Sequence, residues 1–234
     1  MVGRAPSVRN AYSQVRPHAR RLRNVLGLGF LVVVAAFALA HRASADDRSD
    51  KTYLELAASA RRIPASADWT ALRQAYVNSS YFDLIGVKTD TIRKALWAAR
   101  QNNDYEGVIR AADTILAENY VDLEAHIMRY AALRALGRTS ELAQDKMAID
   151  GLMASIQNGE GGSPQSAWNA ITVHEEYVTL SLMGFKVQSQ SLINATGHAY
   201  DRFDVIDRDQ RHIAVYFLVD QILAAEKKAL NPPN

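Results

Sequence analysis

The chain has 234 residues, with 27 basic and 25 acidic side chains, a formal net charge of +2, an isoelectric point near 8.8 and no cysteine. Without cysteine, disulfides, a thiol nucleophile and thiolate metal ligands are all excluded. The basic charge is concentrated at one end: residues 1–45 hold seven arginines and no acid, leaving 20 basic against 25 acidic residues in the other 189, a formal −5. A basic nucleic-acid footprint is absent from that remainder.

Arg4, Arg9, Arg16, Arg20, Arg21 and Arg23 precede an apolar run, Val25 to Ala40, and Ala43-Ser44-Ala45 follows it. A basic end, an apolar core and small residues before a cut form a secretory signal. Residues 1–45 are therefore expected to be removed, leaving an acidic protein in the periplasm or medium with no membrane span. The alternative is a retained N-terminal anchor with its arginines on the cytoplasmic side. Against it, the run is shorter than the roughly 20 residues that cross a bilayer core.

Residues 46–67 form a lead-in, helical over Thr52 to Arg62 and stopped at Pro64. Residues 68–158 form a helical half. Asp68 caps a helix with Trp69, Leu72, Ala75 and Tyr76 at helical spacing. Asn78-Ser79-Ser80 breaks it, and Tyr81 to Lys88 reads as a packed loop. Asp90 is expected to cap the next helix, with turns at Asn102-Asn103-Asp104 and Asn119 to Asp122, and Gly137 closing a third helix. A fourth starts at Thr139 or Ser140. Ile92 to Asp104 aligns with His126 to Arg138, and Tyr105 to Ile115 with Thr139 to Ile149, both at an offset of 34 residues. That is the tetratricopeptide period, so a tetratricopeptide-like layer of stacked helix pairs is expected.

Residues 159–164 are a glycine-rich joint, 165–220 a mixed half, and 221–234 a terminal helix and tail closed by Pro232-Pro233. The mixed half predicts a strand over Ala167 to Val173, a short helix over Glu175 to Met183 and a loosely alternating stretch over Lys186 to Ile193. Two strands follow, Tyr200 to Ile206 and His212 to Val219. The fold class is α+β: a helical layer followed by a small antiparallel sheet with one packed helix.

An ordered set of residues resembles one known family. It includes Trp69-x-x-Leu72-Arg73-x-Ala75-Tyr76, Asp104-Tyr105-Glu106, Gly159-x-Gly161, Ser163-Pro164 and Glu175-Glu176-Tyr177. Gly184, Gln190-Ser191-Leu192, Gly197-His198-x-Tyr200-Asp201 and Val215-Tyr216-Phe217 continue it. The resemblance is to the family known as domain of unknown function 4919 and covers about Trp69 to Phe217. It departs at Tyr81-Phe82-Asp83-Leu84-Ile85, which lacks an expected Asp-Pro. The resemblance implies exported bacterial proteins with a helical and a mixed half, and no agreed activity.

The unusual local chemistry lies between Gly159 and Asp204. His174, Glu175, Glu176, His198 and Asp201 tempt a metal assignment. However, adjacent helical residues point about 100° apart, and strand residues three apart face opposite sides. No His-x-x-x-His pair exists either, so neither metal nor cofactor is expected. Gly159 to Ser163 follows a helix and precedes a strand, the wrong order for a phosphate cradle, and reads as a hinge or cap. No Gly-x-Ser-x-Gly elbow is present. Glu175 or Glu176 suits the N-terminus of the short helix, where negative charge is favoured.

Gln190, His198, Tyr200 and Asp201 flank one hairpin. They form either a satisfied buried network of Gln190 with Asp201, or a ligand-binding edge contacted by His198 and Tyr200. Candidate ligand contacts are Glu175, Tyr177, Gln190 and Tyr200; candidate acid–base groups are Glu176, His198 and Asp201. The expected function is a non-enzymatic binding or interaction module whose partner is another extracytoplasmic protein or a small ligand. The alternative is a hydrolase-like or other acid–base enzyme using Glu176, His198 and Asp201 in a cleft.

Overall fold

The computed structural model describes residues 35–230. The basic end and most of the apolar run of the expected signal, and the Pro232-Pro233 tail, lie outside the described residues. Eight α-helices and four strands are present among those described: α1 (Ala35–Arg62), α2 (Trp69–Asn78), α3 (Asp90–Gln101), α4 (Tyr105–Glu118), α5 (Leu123–Ala135), α6 (Leu142–Ile156), β1 (Trp168–Asn169), α7 (Val173–Met183), β2 (Lys186–Ala195), β3 (His198–Ile206), β4 (His212–Leu218) and α8 (Asp220–Leu230). The fold is α+β.

Helix starts follow short polar caps. Asp68, Asp104 and Asp122 each accept a hydrogen bond from the backbone N–H three residues on, satisfying a donor the helix itself leaves open. Asp90 does not cap α3. It is that helix's first residue and pairs with Lys94, while Thr89 takes the capping position without a side-chain bond. Gly137 follows α5 at φ +72°, the left-handed conformation expected of it. Consecutive helices α3 to α6 pack in order, and α6 also meets α2. α5 begins 33 residues after α3, but α6 begins 37 after α4, because Thr139–Glu141 is spent on a 3₁₀ turn.

A polar spine ties this layer. Buried His126 on α5 faces Asp145 Oδ1 on α6 at 2.8 Å and the Tyr120 carbonyl at 3.0 Å. Arg129 grips Asp145 through Nε at 2.9 Å and reaches Asp113 of α4 through Nη1 at 2.6 Å. α1 is clasped onto the end of α4. The Tyr53 hydroxyl donates to the Glu118 carbonyl, and Arg61 to the Leu116 carbonyl, where the helix dipole favours positive charge.

The sheet order is β1-β4-β3-β2. β2, β3 and β4 form an antiparallel meander, with a bulge between Val187 and Ser189. β1 joins β4 in parallel, so the sheet is mixed. β1 is only two residues long, not a strand over Ala167 to Val173, because Thr172 already caps α7 by accepting from the Glu175 N–H. Phe203, Phe217, Tyr177 and Trp168 interlock as edge-to-face rings, packing α7 onto the sheet. One hydrophobic cluster runs from Tyr53 through the helical layer to Ile222.

The joint is stapled by hydrogen bonds to the segments around it. Gly161 donates to the Ser166 carbonyl at 2.7 Å and accepts from the Tyr216 N–H at 2.8 Å, while Trp168 Nε1 donates to the Gly159 carbonyl. Gly161 sits at φ +74°, and a Cβ there would stand 2.6 Å from the Trp168 ring. Gly161→Ala is expected to cost about 2–4 kcal/mol, from left-handed strain plus displacement of the ring. Gly162→Ala, with open space around its Cβ, should be nearly neutral. Paired urea denaturation curves check the contrast.

Candidate functional site

The side chains singled out between Gly159 and Asp204 fall into four separate places. The first is a buried clasp between the halves. Arg73 on α2 grips Glu175 on α7 through Nε to Oε1 at 3.2 Å and Nη2 to Oε2 at 2.6 Å. Its remaining donors reach the Ser155 carbonyl at 3.1 Å and the Asn169 carbonyl at 2.7 Å. Glu175 Oε2 also accepts from the Ile171 N–H, while Thr172 accepts from the Glu175 N–H, so the start of α7 is closed reciprocally. Glu175 thus ties α7 to α2 as part of the frame. Arg73 is the residue that sequence reasoning quoted without a role. Its signal was there: it stands four residues after Trp69 and three before Tyr76, inside the apolar stripe of α2.

The second place lies under α7. Glu176 is fully buried, and neither of its carboxyl oxygens meets a donor. It faces Asp201 on β3. Burial first, then the Asp201 charge and contact, push its carboxyl well above the ordinary glutamate range. As the neutral acid, Glu176 has a proton to offer Asp201, the neighbour that helps to raise it. Asp201 Oδ2 accepts from Gln190 Nε2 at 2.6 Å, and Gln190 Oε1 accepts from the Tyr177 hydroxyl at 2.7 Å. Gln190 and Asp201 pair, as one of the two sequence readings expects, and Tyr177 and Glu176 extend the pair into one chain from the sheet's exposed rim to a sealed acid. Thr179, also fully buried, has an unpartnered hydroxyl on the same helix.

The third place is the opposite face of the sheet. His198 and Tyr200 alternate with Asp201 along β3 and so point away from it. His198 Nδ1 meets Asp220 of α8 at 2.5 Å, and Asp220 also accepts from the Ala199 N–H at 2.8 Å. The Asp220 carboxyl is held below the ordinary aspartate range by that backbone bond and by His198. Tyr200 is buried, its hydroxyl on Thr196. Glu176 and Asp201 come together; His198 does not join them. Because the His198 pair is exposed, His198→Ala is expected to move the thermal midpoint by no more than about 2 °C in differential scanning calorimetry.

A fourth cluster, unforeseen as a unit, lies where α5 meets α7. Arg93 on α3 donates to Asp122 Oδ2 at 2.5 Å and to Glu124 Oε2. His174 Nε2 stands 3.2 Å from the same Glu124 oxygen, outside hydrogen-bond geometry. Burial would raise Asp122, but the Arg93 charge holds it below the ordinary range. Burial would likewise raise Glu124, which His174 and Arg93 together hold low. Among the described residues, no group of three or more His, Cys, Asp or Glu side chains is placed to hold a metal ion.

The sequence profile of a domain of unknown function, DUF4919, matches residues 66–228. The chain belongs to the DUF4919 family. Comparison with curated proteins and with solved structures returns no match. The DUF4919 region takes in Arg73 near one end and Asp220 near the other, so all four clusters lie inside the domain.

Proposed function

We propose that this DUF4919 protein is an exported binding or interaction module rather than an acid–base enzyme. The observation that carries this reading is the placement of its acid–base candidates. Glu176 and Asp201 lie under α7, while His198 lies across the sheet on Asp220, so no one substrate meets all three. What stays open is the helical layer, where a groove of about 310 Å³ runs past Arg61, Leu116, Ala117, Tyr120 and Gln144. Arg61 stacks over the Tyr120 ring at 4.4 Å. A groove with a charged rim and an apolar floor suits a protein segment or small ligand.

Export rests on the sequence pattern of residues 1–45. A cut after Ala45 falls within α1, and Tyr53, Ala57 and Ala60, which enter the core, lie beyond it. Among the described residues, no helix is long and apolar enough to cross a membrane.

The test is capture from the exported fraction of the source cells on the immobilised mature chain. Wild-type protein should retain a partner at stoichiometric amount, and Ala117→Arg, an exposed residue in the groove, should release it. Equal capture by Ala117→Arg removes the groove from the account. Turnover abolished by Glu176→Gln or Asp201→Asn would establish the enzymatic alternative.

A further inference from the structure

We infer that the notch between α5 and α7 is a binding site for a primary ammonium group carried on an unbranched alkyl chain. The reasoning starts from one atom. Glu124 is 3% exposed, and both basic neighbours, Arg93 and His174, gather on its Oε2. Its Oε1 has no donor. A buried carboxylate oxygen left in this state is uncommon, and something supplied from outside the chain ordinarily satisfies it.

The surroundings say what that donor is. Glu124 lines a half-open cavity of about 30 Å³ at the junction of the two halves. The space admits one water-sized head group. Asp122 and Glu124 share the single guanidinium of Arg93, whereas Glu175 is matched by Arg73. A metal ion is poorly served, because no three-ligand group is present among the described residues. Val121, Leu123, Ile171 and Val178 wall the notch, a lining that suits methylene groups behind a charged head. An ammonium brings three N–H donors, one of which Glu124 Oε1 can accept. This site is separate from the groove of the helical layer and does not depend on it.

Two sources could supply the group, a lysine side chain or a free alkylamine, and wild-type protein distinguishes them. The probes are n-butylammonium, N-acetyl-lysine amide and tetramethylammonium at equal ionic strength, followed by thermal midpoint and by the ¹³C-labelled His174 ring signals. n-Butylammonium should give a saturable rise of about 3–6 °C at tenfold its dissociation constant, with a matching shift of the His174 ring. A response to N-acetyl-lysine amide as well assigns the site to lysine side chains; a response to n-butylammonium alone assigns it to free amines. Glu124→Gln should abolish the rise. Tetramethylammonium has the charge but no N–H, so it decides the matter even if Glu124→Gln does not fold. An equal response to tetramethylammonium, or none to n-butylammonium, overturns the site and leaves the notch with a water. Neither result bears on capture at the Ala117 groove.

Discussion

Arg73→Ala is expected to lower the free energy of unfolding by about 3–5 kcal/mol. The substitution leaves Glu175 charged and buried, and strips donors from the Ser155 and Asn169 carbonyls on two other segments. The cost comes from the stranded partner more than from the bond itself. Replacing both members, Arg73→Met with Glu175→Leu, should therefore recover much of the loss. Urea denaturation of the two single variants and the double variant measures the coupling directly. Near-additive losses would show that the clasp does not act as a unit.

Glu176→Gln should have the opposite sign, and its effect should grow with pH. Glu176 is favoured as the neutral acid in the fold, because burial and then Asp201 raise its carboxyl well above the ordinary range. In the unfolded chain it titrates near the usual value of about 4.3. Its contribution to stability is thus fully present below that value and is lost as pH rises through the folded-state value. Glutamine keeps a donor for Asp201 and cannot ionise. The variant should be close to wild type in mild acid and more stable by about 1–3 kcal/mol in mild alkali. Taking the difference between the two curves cancels the opposite trend from Asp122 and Glu124, whose lowered carboxyls lose stability as pH falls. A difference that stays flat from pH 5 to 9 would place Glu176 ionised in the fold.

Much of this architecture is legible in the chain because its causes are local. Asp68, Asp104, Gly137 and the strand-like run from His212 act within a few residues, and the structure puts caps, a stop and β4 at those places. Glu175 defeated local reasoning. Its position at a helix start is visible, but what it binds is 102 residues away on α2. His198 and Asp201 were correctly assigned to opposite faces by strand alternation. The join of Asp201 to Glu176 was invisible, since it depends on which sheet face α7 covers. Glu124 carried even less signal: it reads as an ordinary acid in the first turn of a helix until α7 closes over it. The strand predicted over Ala167 to Val173 failed for a definable reason, because Thr172 and Glu175 close a helix start inside it.

The central claim is that the polar residues between Gly159 and Asp204 rivet a helical half and a mixed half into one cooperative body. Its most direct measurement is urea unfolding of protein labelled with 5-fluorotryptophan, followed by ¹⁹F magnetic resonance. Trp69 and Trp97 report on α2 and α3, and Trp168 on the sheet. The predicted result is loss of all three native signals at one urea concentration. Disappearance of the Trp168 signal while Trp69 and Trp97 remain native would contradict it.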